Sequence, residues 1–337
     1  MRQRLAALAE QGQLNARERA QAGEVLAALG DLRFDPAHFY LPCRYRGKLE
    51  PKLGFVEIPA GPFVMGSRRG ESGAFGNEFG NPDSLNIPYT YWIARYPVTV
   101  AQYRCFVEAG GYGAPHGWTE TGWSWRQGQW DSQVEDEGLR NWLKQRPAEA
   151  RASPFWWDEQ RLHPNRPVVG VCWFEAQAYG AWLDAQLRAL ADGPIPEGYE
   201  VRLSTEAEWE KAARNGDGRR YPWGDEDWDE ERANIGDSEI GHPTPVGLYP
   251  QGATPRGLHD ASGNVWEWTR SHYRGYPYEP QDGSNDKDTN NPFVVRGGSW
   301  DFDRRDARGA TRGRNRPVDF INDLGFRVVV SLANSEC

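Results

Sequence analysis

A chain of 337 residues, 38% hydrophobic and 26% charged, is long enough for one large globular domain or two ordinary ones. Its net charge of −9 argues against nucleic acid or an anionic membrane as the main partner, and no apolar run approaches the length of a membrane span. With 38 glycines, 24 prolines and 16 tryptophans it reads as loop-rich and aromatic-rich, unlike a helical bundle.

Residues 2–29 carry Leu5, Leu8 and Ala9, then Ala22, Val25, Leu26 and Leu29, at helical spacing, with Asn15 as a cap and Gly30 as a stop. The opening is too polar for the apolar centre of a secretory leader, so the expected location is cytoplasmic, with surface display left open. Pro36, Pro42 and Pro51 mark an extended linker. Residues 1–50 are therefore read as helix and linker, and residues 51–332 as the main domain. From Gly54 short strands take over, and LGFVEIPAGPFVMGS predicts a hairpin turning at Ala60–Gly61. Helices are predicted over 100–109, capped by Thr99 with Tyr103, Phe106 and Val107 on one face, and over 174–190, with Ala178, Trp182, Leu183 and Leu187. A third opens at Ser204, its apolar face formed by Ala207, Trp209, Ala212 and Ala213. The tryptophan-rich stretch 118–157 and the acidic YPWGDEDWDEE read as loops. Cys43, Cys105, Cys172 and Cys337 are scattered, which fits a reducing compartment better than a disulfide scaffold.

FVEIPAGPFVMGS, PVTVAQYRCFV, PVVGVCWFEAQAYGAWL, RLSTEAEWEKAAR, YPWGD, GNVWEW, RGGSW and GFRVV follow one another over residues 55–330. In this order they resemble the formylglycine-generating-enzyme-like (sulfatase-modifying factor) domain. The resemblance implies an α+β protein with a variant of the C-type lectin fold: short twisted strands, two or three helices and extensive loops. Formylglycine-forming members hold copper with a cysteine pair between the RGGS and GFR frames, where soft sulfur suits Cu(I). The span from Gly297 to Arg327 has no cysteine, and Cys105 and Cys172 fall in predicted helices among apolar neighbours. Sulfoxide synthases of the superfamily use a histidine iron site, yet His38, His116, His163, His242, His259 and His272 show no ligand spacing. The expectation from this is a protein without catalytic residues or a catalytic metal, and not an enzyme.

Another branch of the superfamily, the variable proteins of diversity-generating retroelements, is similar in a different way. Their C-terminal lectin-fold segment is rewritten at template adenines, so a diversified Asn codon cannot become Lys, Glu, Gln, Trp or Met. None of those five occurs between Asp301 and Leu324, in DFDRRDARGATRGRNRPVDFINDL. Segment 295–330 is accordingly read as a variable recognition segment, mostly coil between flanking strands. Its expected exposed face comprises Asp301, Phe302, Asp303, Arg305, Asp306, Arg314, Arg316, Val318, Asp319, Phe320, Ile321 and Asn322. Arginines supply planar donors, aspartates and Asn322 supply acceptors, and Phe302, Phe320 and Ile321 supply apolar anchors. Arg308, Arg312 and Arg327 are read as framework, and Trp266 and Trp268 as scaffold.

The expected function is thus non-enzymatic binding of an unknown protein or other macromolecule through a diversified surface. A formylglycine-generating oxidase and a sensor module of a signalling protein are the alternatives. No cofactor is expected beyond structural calcium, which the resemblance places at Asp260 and Glu267 with carbonyls of Gly263 and Val265, and at Asn234 and Asp237.

Overall fold

The computed structural model describes residues 2–10, 14–81, 84–191, 193, 195–279 and 291–333. Within these the chain is α+β, with short strands and long connections, as expected. Two four-stranded sheets form its frame. In the first, Phe55–Ile58, Tyr91–Ala94, Val328–Leu332 and Tyr199–Leu203 lie side by side, all antiparallel. In the second the order is Arg312–Asn315, Phe293–Arg296, Trp266–His272 and Leu324–Phe326, the last pair parallel.

The GFRVV motif joins the two. Leu324–Phe326 belongs to one sheet and Val328–Leu332 to the other, so Arg327 sits at the crossing. Its guanidinium is fully buried on Glu267 and also donates to the carbonyls of Ala94 and His259. A buried guanidinium is tolerated only with its donors satisfied, and here one side chain ties both sheets to the 259 loop.

The helix Trp173–Arg188 packs on Tyr199–Leu203, where Gly180 lets the backbones close: a Cβ there would lie 3.4 Å from Arg202 Cα. Tyr103 and Tyr179 stack at 5.4 Å, and Trp173 stacks on Phe293 at 4.0 Å, joining the helices to the second sheet. Each such side chain contributes about 1.5–3 kcal/mol by leaving water.

Asn15 and Thr99 cap their helices as the spacing predicts, each in a capping box. Three local expectations need correction. LGFVEIPAGPFVMGS does not pair with itself: Phe55–Ile58 joins Tyr91–Ala94, while Gly61–Phe63 pairs with Leu85–Ile87. Stretch 118–157 contains the helices Glu120–Arg126 and Glu137–Leu143, started by the side chains of Thr119 and Asp136. The helix Glu206–Ala213 buries more than its expected apolar face: every residue in it is buried, and its glutamates are paired inward.

Candidate functional site

That inward pairing builds the floor of a cleft. Glu206 receives Arg312 on both oxygens, at 2.7 and 2.6 Å, and Arg296 at 3.4 Å. Glu210 receives Arg296 at 2.5 Å and Arg214 at 2.7 Å. Nearby, Arg308 is buried on Glu78. Burying such charges is costly unless each is paired; every guanidinium here has its carboxylate, while Nε of Arg296 and of Arg308 has no partner among the described residues. Arg308, Arg312 and Arg327, read as framework, therefore fasten the fold from below, and Arg312 also reaches the cleft lining. Gly298, with φ +72°, makes the turn above them; a Cβ there would meet the backbone of Asp306 at 3.0 Å.

Segment 301–324 runs over this floor, mostly as turns, with the strand Arg312–Asn315 inside it. Its far end is pinned to the core: Pro317 O accepts from Trp173 N and Ile321 O from Gly170 N. Between this segment and residues 75–77 opens a cavity of about 750 Å³. Trp266, Val295 and Leu324 form its apolar base; Phe75, Gly76 and Asn77 form one wall; Asp301, Phe302, Asp306, Arg312, Arg314, Ile321, Asn322 and Asp323 line the rest. Phe302 is 41% exposed and meets Trp266 edge-on, ring centres 5.5 Å apart.

The candidate positions thus divide. Asp301, Phe302, Asp306, Arg314, Ile321 and Asn322 are brought together in the cleft, with Asp306 and Ile321 half-buried. Asp303 and Arg305 lie exposed outside it. Asp303 accepts from the Arg305 amide, and the Arg305 guanidinium lies over Phe75 at 4.4 Å. Arg316 is exposed on a separate hollow, and half-buried Asp319 accepts from the Arg316 amide at 2.8 Å.

Two positions of the expected exposed face, one of them the anchor Phe320, are buried. Val318 is 0% and Phe320 is 1% exposed. Phe320 stacks on Trp142 at 4.6 Å and tilts against Phe155 at 5.0 Å, so the tryptophan-rich stretch covers it. An apolar ring in a polar loop was read as a contact, whereas a second layer of the fold buries it. Conversely, Phe75, Asn77 and Trp266 line the cleft and were not singled out for it. Trp266, expected as scaffold, is indeed buried in the core with Trp268, and the remaining surface of its ring forms part of the cleft base.

The electrostatics are acidic. Burial, then the neighbouring Asp303, push the Asp306 carboxyl up to about 6, against the opposing pull of Arg305 and Arg308. Burial also raises Asp323, although Ser299 donates to it at 2.6 Å.

The groups that the family would hold by metal do not fit here. Cys172 is buried at a helix start with its thiol pushed well up, first by burial. Cys105 donates to the Ala101 carbonyl within its own helix, and Cys43 lies at the Leu32 carbonyl. Cys337 lies outside the described residues. Among the described residues no three His, Cys, Asp or Glu side chains gather into a group that could hold a metal ion. Nor do the calcium positions suit a cation. Glu267 is taken by Arg327 and by Trp209 Nε1 at 2.6 Å, and Asp260 accepts from the Gly247 amide. Asp237 is paired with Arg304, and Asn234 Oδ1 accepts from Ser238. A guanidinium holds the first place and a side-chain network holds the second.

The fold, then, is of the formylglycine-generating-enzyme type within the C-type lectin class, with a lined cleft above a buried ionic floor. Residues 46–332 match the Sulfatase-modifying factor enzyme 1-like domain, and the chain belongs to that family. It is 32% identical over 290 residues to a hercynine oxygenase of Mycolicibacterium smegmatis, covering 78% of this chain and 58% of that protein. It is 31% identical over 297 residues to the formylglycine-generating enzyme of Streptomyces coelicolor, covering 81% and 88%. The chain spans 50–58% of the length of the hercynine oxygenases it matches. In solved structures, variable protein 1 of Treponema denticola shares the fold, with TM-score 0.52, 18% identity and coverage of 82% and 94%.

These relatives overturn the expectation of a non-enzyme. Proteins named for oxygenation and formylglycine generation align along most of this chain, so the chain belongs to a family of enzymes. The inference from a missing cysteine pair failed because one missing ligand set does not speak for a whole family. Among the described residues no helix is long and apolar enough to cross a membrane.

Proposed function

We propose that the cleft between residues 75–77 and 301–324 is the ligand-recognition site of this domain, and that the chain presents a substrate within an enzyme of the sulfatase-modifying factor family. One observation carries the reading. A cavity of about 750 Å³, with aromatic walls at Trp266 and Phe302 and convergent polar groups, opens on strands fixed by buried ion pairs. Such a pocket on a stiff base is the default place for a ligand, because the scaffold meets the ordering cost in advance. The hercynine oxygenases extend well beyond the part matched here.

The test uses a rim residue. Asn322 is exposed on the cleft edge, and Asn322→Trp should plug the opening without disturbing the core. In a thermal-shift screen with amino acids, amines and short peptides, at least one class should raise the melting temperature of the unaltered chain and leave the plugged variant unmoved. Equal stabilisation of both proteins would contradict the reading.

A second reading concerns how the ligand is chosen. The absence of Lys, Glu, Gln, Trp and Met from 301–324, with Asp301, Phe302, Arg314 and Asn322 exposed in one cleft, supports a recognition surface open to diversification. An adenine-bearing near-copy of the coding segment beside the gene is its mark.

A further inference from the structure

The cleft holds more acid than base. Asp301, Asp306 and Asp323 line it, whereas Arg312 is neutralised by Glu206. Among the described residues Arg314 is the one lining guanidinium without a carboxylate partner; it lies over Tyr273 at 5.1 Å. No described side chain donates to the Asp306 carboxylate. The charged groups around it are Asp303 and Glu78, which raise it, and Arg305 and Arg308, which lower it.

A separate feature points the same way. Asn77 lines the cleft and its Nδ2 donates to Tyr273 Oη at 2.9 Å and to the Arg312 carbonyl at 3.1 Å. A carbonyl can only accept, so the amide orientation is fixed. That leaves Asn77 Oδ1 buried and without a partner among the described residues. Buried acceptors are nearly always satisfied, by protein, water or ligand. The acceptors therefore come from separate stretches of chain, at 77, 301–306 and 323. A guanidinium requires a coplanar pair of oxygens, whereas an ammonium is a point charge with three rotatable donors.

Resting on the recognition reading above, we propose that the cleft takes a ligand bearing a primary ammonium on an apolar body. Its N–H groups meet the cleft carboxylates, and its body lies against Trp266 and Phe302. The aromatic faces add attraction for the same cation. A neutral ligand forgoes the charge attraction of the carboxylates, and a quaternary ammonium has no N–H to donate to them.

Titration calorimetry of the full chain with phenethylamine, phenethyl alcohol and N,N,N-trimethylphenethylammonium separates these terms. At neutral pH phenethylamine should bind at least about tenfold more tightly than either analogue. Asp306→Asn should remove most of that advantage. So should lowering the pH below about 6, where Asp306 takes up its proton. Equal affinity for the alcohol, equal affinity for the trimethyl compound, or no binding of phenethylamine would each overturn the proposal. Equal binding of all three that disappears in Asn322→Trp would overturn the ammonium class and leave the recognition cleft standing. Binding of all three that Asn322→Trp leaves unchanged would overturn both.

Discussion

Replacing Glu206 by alanine is expected to destabilise the protein by about 3–5 kcal/mol, the usual cost of removing one partner from a buried ion pair. Glu206 opens a helix whose every residue is buried, and its carboxylate is the only one paired with Arg312 among the described residues. Without it Arg312 would retain the carbonyl of Arg274 at 2.8 Å and the rings of Tyr273 and Tyr276 at 4.9 and 4.0 Å. Carbonyls and π faces do not neutralise a guanidinium held out of water. Arg296 keeps Glu210 and should suffer less. Urea denaturation of Glu206→Ala, Arg312→Met and the double variant measures the pair directly. The double variant should recover at least half of the loss, since removing both charges leaves neither stranded. A loss under about 1 kcal/mol in the single variant would show that water reaches this floor. Because Arg312 also lines the cleft beside Asn77, ligand binding should fall in parallel.

Phe320→Ala is expected to cost about 3–5 kcal/mol, as for any large aromatic removed from a packed interior. The ring is clasped between Trp142 and Phe155, with the Arg146 guanidinium 5.6 Å above it. Phe302→Ala, eighteen residues earlier in the same segment and 41% exposed, should change stability by no more than about 1 kcal/mol. The contrast separates two roles that composition alone merges. Phe320 anchors the segment to the layer formed by 142–155, while Phe302 stays exposed at the cleft. Equal, small losses at both positions would mean that the tryptophan-rich stretch does not cover the segment.

What was legible in the chain follows from the range of the forces involved. Apolar spacing and capping residues act within a few positions, so the helices at 100–108 and 173–188 and the caps Asn15 and Thr99 could be read directly. Strand partners could not. Phe55–Ile58 alternates as a hairpin arm would, but its partner is thirty or more residues away, and nothing local distinguishes the two. The inward pairing of the glutamates of STEAEWEKAAR was not legible, because their partners, Arg202, Arg296 and Arg312, come from other parts of the chain. The same blindness to distant cover placed Val318 and Phe320 at the surface. The polar members of the segment fared better: Asp301, Asp306, Arg314 and Asn322 do converge on one cavity.

The account depends above all on the cleft being where a ligand goes. A crystallographic soak of the full chain with a fragment set of amines and amino acids locates binding without assuming a reaction. Density for bound fragments should gather against Trp266 and Phe302, with a nitrogen within hydrogen-bond distance of Asp306. Fragments gathered instead in the smaller cavity beside Trp156 and Trp300, with the cleft left to solvent, would contradict it.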